Sequence, residues 1–151
     1  VAMLAWIRLR GRRSRSVLGP ASVLAAPTVP YRASARYHRR GSGLAELPVA
    51  TTPWLRMPFI GTTIVLFGAA RAARMARRVA RRGFVSLELH GIDLADAEAD
   101  GLTALSAHQP DLRVPLERKK QALLAALQAI RAAGYRFTTT AEAARLLVPP
   151  G

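Results

Sequence analysis

The stretch Phe84–Asp93 reads Phe-Val-Ser-Leu-Glu-Leu-His-Gly-Ile-Asp and decides the fold that the sequence predicts. Its mostly alternating apolar residues lie between Gly83 and Gly91, a pattern typical of a β-strand that ends at a turn. Such a strand would deliver His90 to the rim of a sheet, where α/β proteins assemble their active sites. An imidazole exchanges a proton near neutral pH. His90 is therefore a candidate catalytic residue, with a purely structural histidine as the alternative.

Asp93 follows His90 by three residues across a glycine turn. A carboxylate at this spacing can orient the imidazole or cap the element that follows. The acids at 96, 98 and 100 are regularly spaced, but they lack the ligand register of an EF-hand loop. We therefore expect Asp93 to support His90, and we assign no metal ligand to this run.

The composition excludes several classes of site and leaves the compartment open. The chain has 151 residues and no cysteine, which removes disulfides, thiolate metal sites and cysteine nucleophiles. The longest apolar run, Met57–Ala70, is shorter than the roughly 20 residues that cross a bilayer. No secretory signal pattern is visible, because the apolar start precedes the basic cluster. Cytoplasmic and cell-envelope locations both remain open.

The positive charge is concentrated in one half of the chain. The net charge is +14, and residues 1–83 hold 16 arginines and one acid. Residues Ala69–Arg82 have helical periodicity, with arginines on one face and apolar residues on the other. A solvated outer face is the plainer interpretation. The alternative is a basic binding module that contacts RNA or anionic lipid through the Arg71–Arg82 helix.

Three further residues are candidates for binding substrate. Tyr31 and Arg32 follow Pro27 and Pro30, which hold the backbone extended and would present both side chains at the rim of a site. Trp54 lies in a proline-containing loop, where it is either a core residue or a platform for a sugar ring.

Short strand and helix patterns alternate along the chain and predict an α/β fold with mostly parallel strands. Residues 1–19 are expected to form a basic segment, a helix end and a loop, and 20–151 a partial α/β domain. Strands are predicted at Ser22–Ala26, Leu44–Ala50, Phe84–His90 and Tyr135–Thr138. A helix is predicted from Pro115 to about Ala133, and Thr139 with Glu142 matches a capping box that opens a terminal helix.

Five short motifs occur in an order that resembles the C-terminal half of the polysaccharide deacetylase family, over about residues 20 to 147. They are a Pro-Tyr turn at 30–31, a Leu-x-Glu-x-Pro-Val strand at 44–49, a Pro-Phe-x-Gly loop at 58–61, Leu-His-Gly-x-Asp at 89–93 and a Thr-x-x-Glu helix start at 139–142. The resemblance implies a partial, distorted (β/α) barrel. It also implies a hydrolase, a carbohydrate esterase type of enzyme, that removes N- or O-acetyl groups from a polysaccharide or glycan.

Members of this family use a divalent metal, commonly zinc, held by one aspartate and two histidines, and a separate aspartate as base. Carried over to this sequence, His90 would be the late acid that protonates the departing amine or alcohol. Thr28-Val29-Pro30-Tyr31 would correspond to the family's Arg-x-Pro-aromatic motif. The partner implied is an acetylated polysaccharide; nucleic acid is not favoured.

The sequence departs from the family at two places. Thr28 stands where the motif has arginine, although Arg32 is near enough to substitute. The Asp-Asp motif and the His-x-x-x-His pair are absent, so no metal ligand is assigned in this chain. We therefore expect a C-terminal piece of a deacetylase that is inactive alone. The exact substrate and the oligomeric state do not follow from the sequence.

Overall fold

A computed structural model describes residues 25–148. Within them, three α-helices, two β-strands and three short 3-10 turns follow one another along the chain. The strands are β1 (Tyr31–Ala33) and β2 (Arg40–Glu46); the helices are α1 (Gly61–Ala80), α2 (Leu116–Ala132) and α3 (Thr140–Leu147). The 3-10 turns are Gly91–Leu94, Thr103–Ala107 and Pro110–Arg113. No helix in this part of the chain has the length and apolarity needed to span a bilayer.

The described residues divide into two compact units. One unit, the helical unit, contains residues Val49–Thr52 and Pro58–Arg136; the other, the hairpin unit, contains 25–48, 53–57 and 137–148. The predicted basic segment 1–19 and most of the predicted strand Ser22–Ala26 lie outside the described residues.

Helices α1 and α2 form the core of the helical unit, and both present faces that are rich in alanine. Small side chains let two helices approach closely, and the larger apolar residues between them exclude water. The buried residues are Ile64, Val65, Ala72, Met75, Ala76 and Val79 from α1, and Ala122, Leu123, Ala126, Ala129 and Ile130 from α2. The predicted apolar face of the first helix is thereby confirmed.

Helix α1 is interrupted at Gly68, whose φ of 74° and ψ of 170° are not helical. This backbone conformation is accessible essentially to glycine alone. The predicted helix over Ala69–Arg82 is confirmed as the part that follows Gly68. The roughly two turns before it were not predicted, because the sequence pattern there indicated only an apolar run.

The hairpin unit contains β1 and β2, which pair antiparallel with Tyr31 opposite Glu46 and an irregularity between Arg32 and Ala33. Helix α3 begins after Thr139, whose side chain accepts a hydrogen bond of 3.1 Å from the backbone N–H of Glu142. The predicted N-cap is confirmed. The Thr138 hydroxyl donates a hydrogen bond to the Glu142 carboxylate.

The predicted partial barrel of mostly parallel strands is wrong. The described residues contain only the two-stranded antiparallel sheet, and the predicted strands Phe84–His90 and Tyr135–Thr138 are not strands. Alternation makes a segment extended, but a strand also needs a neighbour that pairs along its length. The segment before His90 has one isolated parallel bridge, between Glu88 and Ile60. The short connection from β1 to β2 permits only antiparallel pairing, since a parallel crossover takes about a dozen residues.

Candidate active site around His90

The candidate site is built on Asp93, a fully buried residue of the 3-10 turn Gly91–Leu94. Its carboxylate accepts a hydrogen bond of 2.7 Å from the backbone N–H of His90 and one of 3.4 Å from the Thr62 hydroxyl. The same carboxylate lies against the first residue of α1, Gly61. A Cβ atom added there would be 1.9 Å from Asp93 Oδ2. The glycine therefore makes room for the carboxylate.

The extended segment before the turn is tied to the same end of α1. The backbone N–H of Gly61 donates to the carbonyl oxygen of Glu88 at 2.9 Å, and the N–H of Ala50 donates to that of Ser86 at 2.9 Å. These bonds and the buried Asp93 fix the backbone on both sides of His90. A catalytic group requires a fixed point of attachment, and this backbone supplies one for the His90 side chain.

The His90 imidazole is 56% exposed and faces a carboxylate at each nitrogen. Its Nε2 lies 3.5 Å from Glu88 Oε1, and its Nδ1 lies 3.9 Å from Asp93 Oδ2. The two carboxylates differ, because the Glu88 side chain is half exposed while Asp93 is buried. One is thus a fixed neighbour of the ring and the other can move. An exposed imidazole so placed can take or give a proton.

A buried lysine donates hydrogen bonds to the backbone of the turn Gly91–Leu94 and of the residue that follows it. Lys119 of α2 is fully buried, and its Nζ donates hydrogen bonds to the carbonyl oxygens of Ile92 at 3.0 Å and Ala95 at 2.8 Å. Asp96 follows directly; its pKa is lowered by hydrogen bonds from the backbone N–H groups of Ala99 and Glu98, with a smaller contribution from the positive charge of Lys119. The ammonium group thus provides a hydrogen-bond donor to two carbonyl oxygens at the end of the turn that carries Asp93.

The structure brings His90 and Asp93 together, as their spacing predicted, whereas the three predicted substrate-binding residues belong to the hairpin unit. Tyr31 is buried, and its hydroxyl donates to the carbonyl oxygen of Tyr37 at 2.6 Å. Burial raises the pKa of Tyr31. Arg32 donates to the Gly43 carbonyl at 2.9 Å, and Trp54 is 98% exposed. Their roles in binding remain predictions.

Sequence reasoning missed the roles of Glu88 and Lys119. Glu88 was visible as the polar residue two before His90, which places both side chains on one side of an extended segment. Lys119 stands three residues after Leu116 and four before Leu123, in the apolar stripe of the predicted helix. A charged residue in such a stripe is a signal that it has buried partners.

The described residues include no group of three or more histidine, aspartate, glutamate or cysteine side chains placed to hold a metal ion. The zinc site implied by the family resemblance therefore has no fitting ligand set within residues 25–148. Comparison of the chain with protein-family models, with curated proteins and with solved structures gave no significant match.

Proposed function

We propose that this chain supplies the general acid of a carbohydrate deacetylase, a hydrolase that removes acetyl groups from a polysaccharide. The motif Leu89–Asp93 and its order among the other motifs support the proposal from the sequence. One geometric observation carries it: the exposed imidazole of His90 lies between the carboxylates of Glu88 and Asp93. The Asp93 carboxylate is buried in the space that Gly61 leaves and accepts a hydrogen bond from the His90 N–H.

The chemistry of deacetylation needs such a group. Hydrolysis of an acetamide or acetate ester adds water to the carbonyl carbon and expels an amine or alcohol, which must take up a proton as it leaves. In this proposal His90 gives that proton. Asp93 acts as a positioning residue, because it holds the backbone of His90 and lies near the ring nitrogen that faces away from Glu88.

The divalent metal that the family resemblance implies has no fitting ligand set among the described residues. In this proposal its ligands come from a part of the protein other than residues 25–148. The 151-residue chain alone is accordingly expected to release no acetate from an acetylated chitooligosaccharide supplied with zinc.

The test uses the protein as its gene encodes it, with acetate release from acetylated chitooligosaccharides as the measurement. His90→Ala is expected to lower kcat by about 10²- to 10⁴-fold with little change in KM, because a general acid acts in the transition state. His108→Ala is the matched control, since His108 is the exposed histidine of another turn, and it is expected to keep the wild-type kcat.

The pH profile separates a proton donor from a structural histidine. The wild-type kcat is expected to fall on the alkaline side as the acid loses its proton, and His90→Ala is expected to lack that limb. An unchanged kcat in His90→Ala, with circular dichroism confirming a folded variant, removes His90 from the mechanism. A wild-type protein that releases no acetate from chitin, xylan or peptidoglycan fragments contradicts the whole proposal.

A further inference from the structure

The exposed side of α1 carries a concentration of arginine that the candidate active site does not use. Between Glu46 and Glu88 the sequence contains seven arginines and no acid. Five of the seven are exposed on the second part of α1 and the turn that ends it. They are Arg71, Arg74, Arg77, Arg78 and Arg81, named here the arginine face.

The arginine face lacks partners of opposite charge within residues 25–148. No ion pair between described residues involves an arginine of this face. The opposite side of the helix is buried in the core, with Ala72, Ala76 and Val79 fully inaccessible. Packing therefore fixes this helix with its guanidinium groups toward solvent. Five like charges along about 15 Å of helix repel one another unless an anionic partner neutralises them.

Large apolar side chains are exposed in the part of α1 that precedes its interruption. Leu66 is 45% exposed and Phe67 is 37% exposed, directly before the break at Gly68. Basic residues combined with exposed leucine and phenylalanine are typical of a helix that lies in the surface of a bilayer. From Leu66 to Arg82 the sequence contains one aromatic residue, Phe67, whereas proteins that bind single-stranded nucleic acid stack successive bases on several aromatic side chains. The composition of α1 favours lipid.

We propose that the exposed side of α1 binds the surface of an anionic lipid bilayer. The guanidinium groups of the arginine face bind lipid phosphates, for which their paired donors are suited. Leu66 and Phe67 enter the boundary between headgroups and acyl chains. This interaction is independent of the proposed deacetylase function, since it uses none of the residues around His90.

Cosedimentation of the 151-residue chain with vesicles tests the proposal. Binding is expected to vesicles of phosphatidylcholine with phosphatidylglycerol and not to phosphatidylcholine alone, and it is expected to weaken as salt is added. The triple variant Arg71→Glu, Arg74→Glu, Arg78→Glu is expected to bind at least about tenfold more weakly. The control Arg118→Glu, Arg131→Glu, Arg145→Glu changes three exposed arginines elsewhere, alters the net charge equally and is expected to bind as the wild type does.

Two further measurements keep the result decisive. If the charge reversals disturb folding, as circular dichroism would show, the same three positions are changed to glutamine and the same loss of binding is expected. Leu66→Gln with Phe67→Gln is expected to weaken binding to vesicles. Equal binding to both vesicle types, or equal loss in the control triple variant, overturns the proposal. Tighter binding to RNA than to anionic vesicles, unaffected by the Leu66 and Phe67 changes, assigns the face to nucleic acid and also overturns it.

Discussion

Two 3-10 turns of the helical unit each bury one aspartate completely, but the two carboxylates have opposite surroundings. Asp93, in Gly91–Leu94, accepts hydrogen bonds from the His90 backbone and the Thr62 hydroxyl. Asp111, in Pro110–Arg113, has both carboxylate oxygens buried, and neither has a hydrogen-bond partner among residues 25–148. The comparison teaches that burial alone does not make a carboxylate part of a site.

The energetic difference follows from desolvation. A buried carboxylate loses its hydration, and only hydrogen bonds or a nearby cation restore that loss. Asp93 recovers part of it through hydrogen bonds from the His90 N–H and the Thr62 hydroxyl. Asp111 has no such donor among residues 25–148, so we expect Asp111 to contribute less to the stability of the fold than Asp93 does.

The largest effect is expected from filling the space beside Asp93. In Gly61→Ala the added methyl group would overlap Asp93 Oδ2, 1.9 Å away, and the carboxylate would have to leave its partners. We expect the free energy of unfolding to fall by about 3 kcal/mol, measured by urea denaturation. Gly91→Ala is the control, because apart from its chain neighbours no heavy atom of residues 25–148 lies within 4 Å of its added Cβ; it is expected to change stability by less than about 0.5 kcal/mol. Equal effects of the two changes would contradict the tight packing of Asp93.

The second-largest loss of stability is expected when the turn Gly91–Leu94 loses its hydrogen bonds from Lys119. Lys119→Met keeps the apolar stem of the side chain, removes the ammonium donor of the Ala95 carbonyl oxygen and leaves the Ile92 carbonyl oxygen with the Ala95 N–H at 3.3 Å. We expect a loss of about 2 kcal/mol of stability, since a hydrogen bond from a charged donor contributes about 1.5 kcal/mol or more and removing the buried charge offsets part of the loss.

Lys120→Met is the control for Lys119→Met. Lys120 is exposed and lies 3.8 Å from Glu117, so its loss is expected to cost less than about 0.5 kcal/mol. A Lys119→Met variant as stable as the control would show that the buried ammonium group does not hold the turn.

The smallest effect, of opposite sign, is expected at the second turn. Asp111→Leu replaces the unpartnered carboxylate by an apolar group of similar shape, and we expect the free energy of unfolding to rise by about 1 kcal/mol. Asp93→Leu, measured in the same way, is expected to lower it. If both variants are destabilised alike, the contrast between the turns does not hold.

The elements that the sequence predicted correctly are those that local periodicity determines. The apolar faces of Ala69–Arg82 and Pro115–Ala133, and the cap at Thr139, depend on spacings of three and four residues within one segment. The barrel was wrong because the alternating runs at Leu44–Ala50 and Phe84–His90 indicate extended backbone only. Which strands pair, and in which direction, depends on residues far along the chain.

The candidate site was predictable in part for the same reason. His90 and Asp93 lie in one short stretch, so their spacing was enough to place them together. The space at Gly61 and the ammonium of Lys119 reach the turn from other helices, and the pattern around His90 contains neither. No local pattern singles out Asp111, because its burial depends on the elements packed around it.

The close approach of Gly61 and Asp93 also constrains how this sequence can change over generations. While a carboxylate occupies position 93, any side chain at position 61 overlaps it. A smaller residue at position 93 would leave space for a side chain at position 61. Once such a side chain was present, a return to aspartate at position 93 would destabilise the fold unless glycine returned at position 61. Positions 61 and 93, which lie on different elements, are therefore expected to covary among homologous sequences.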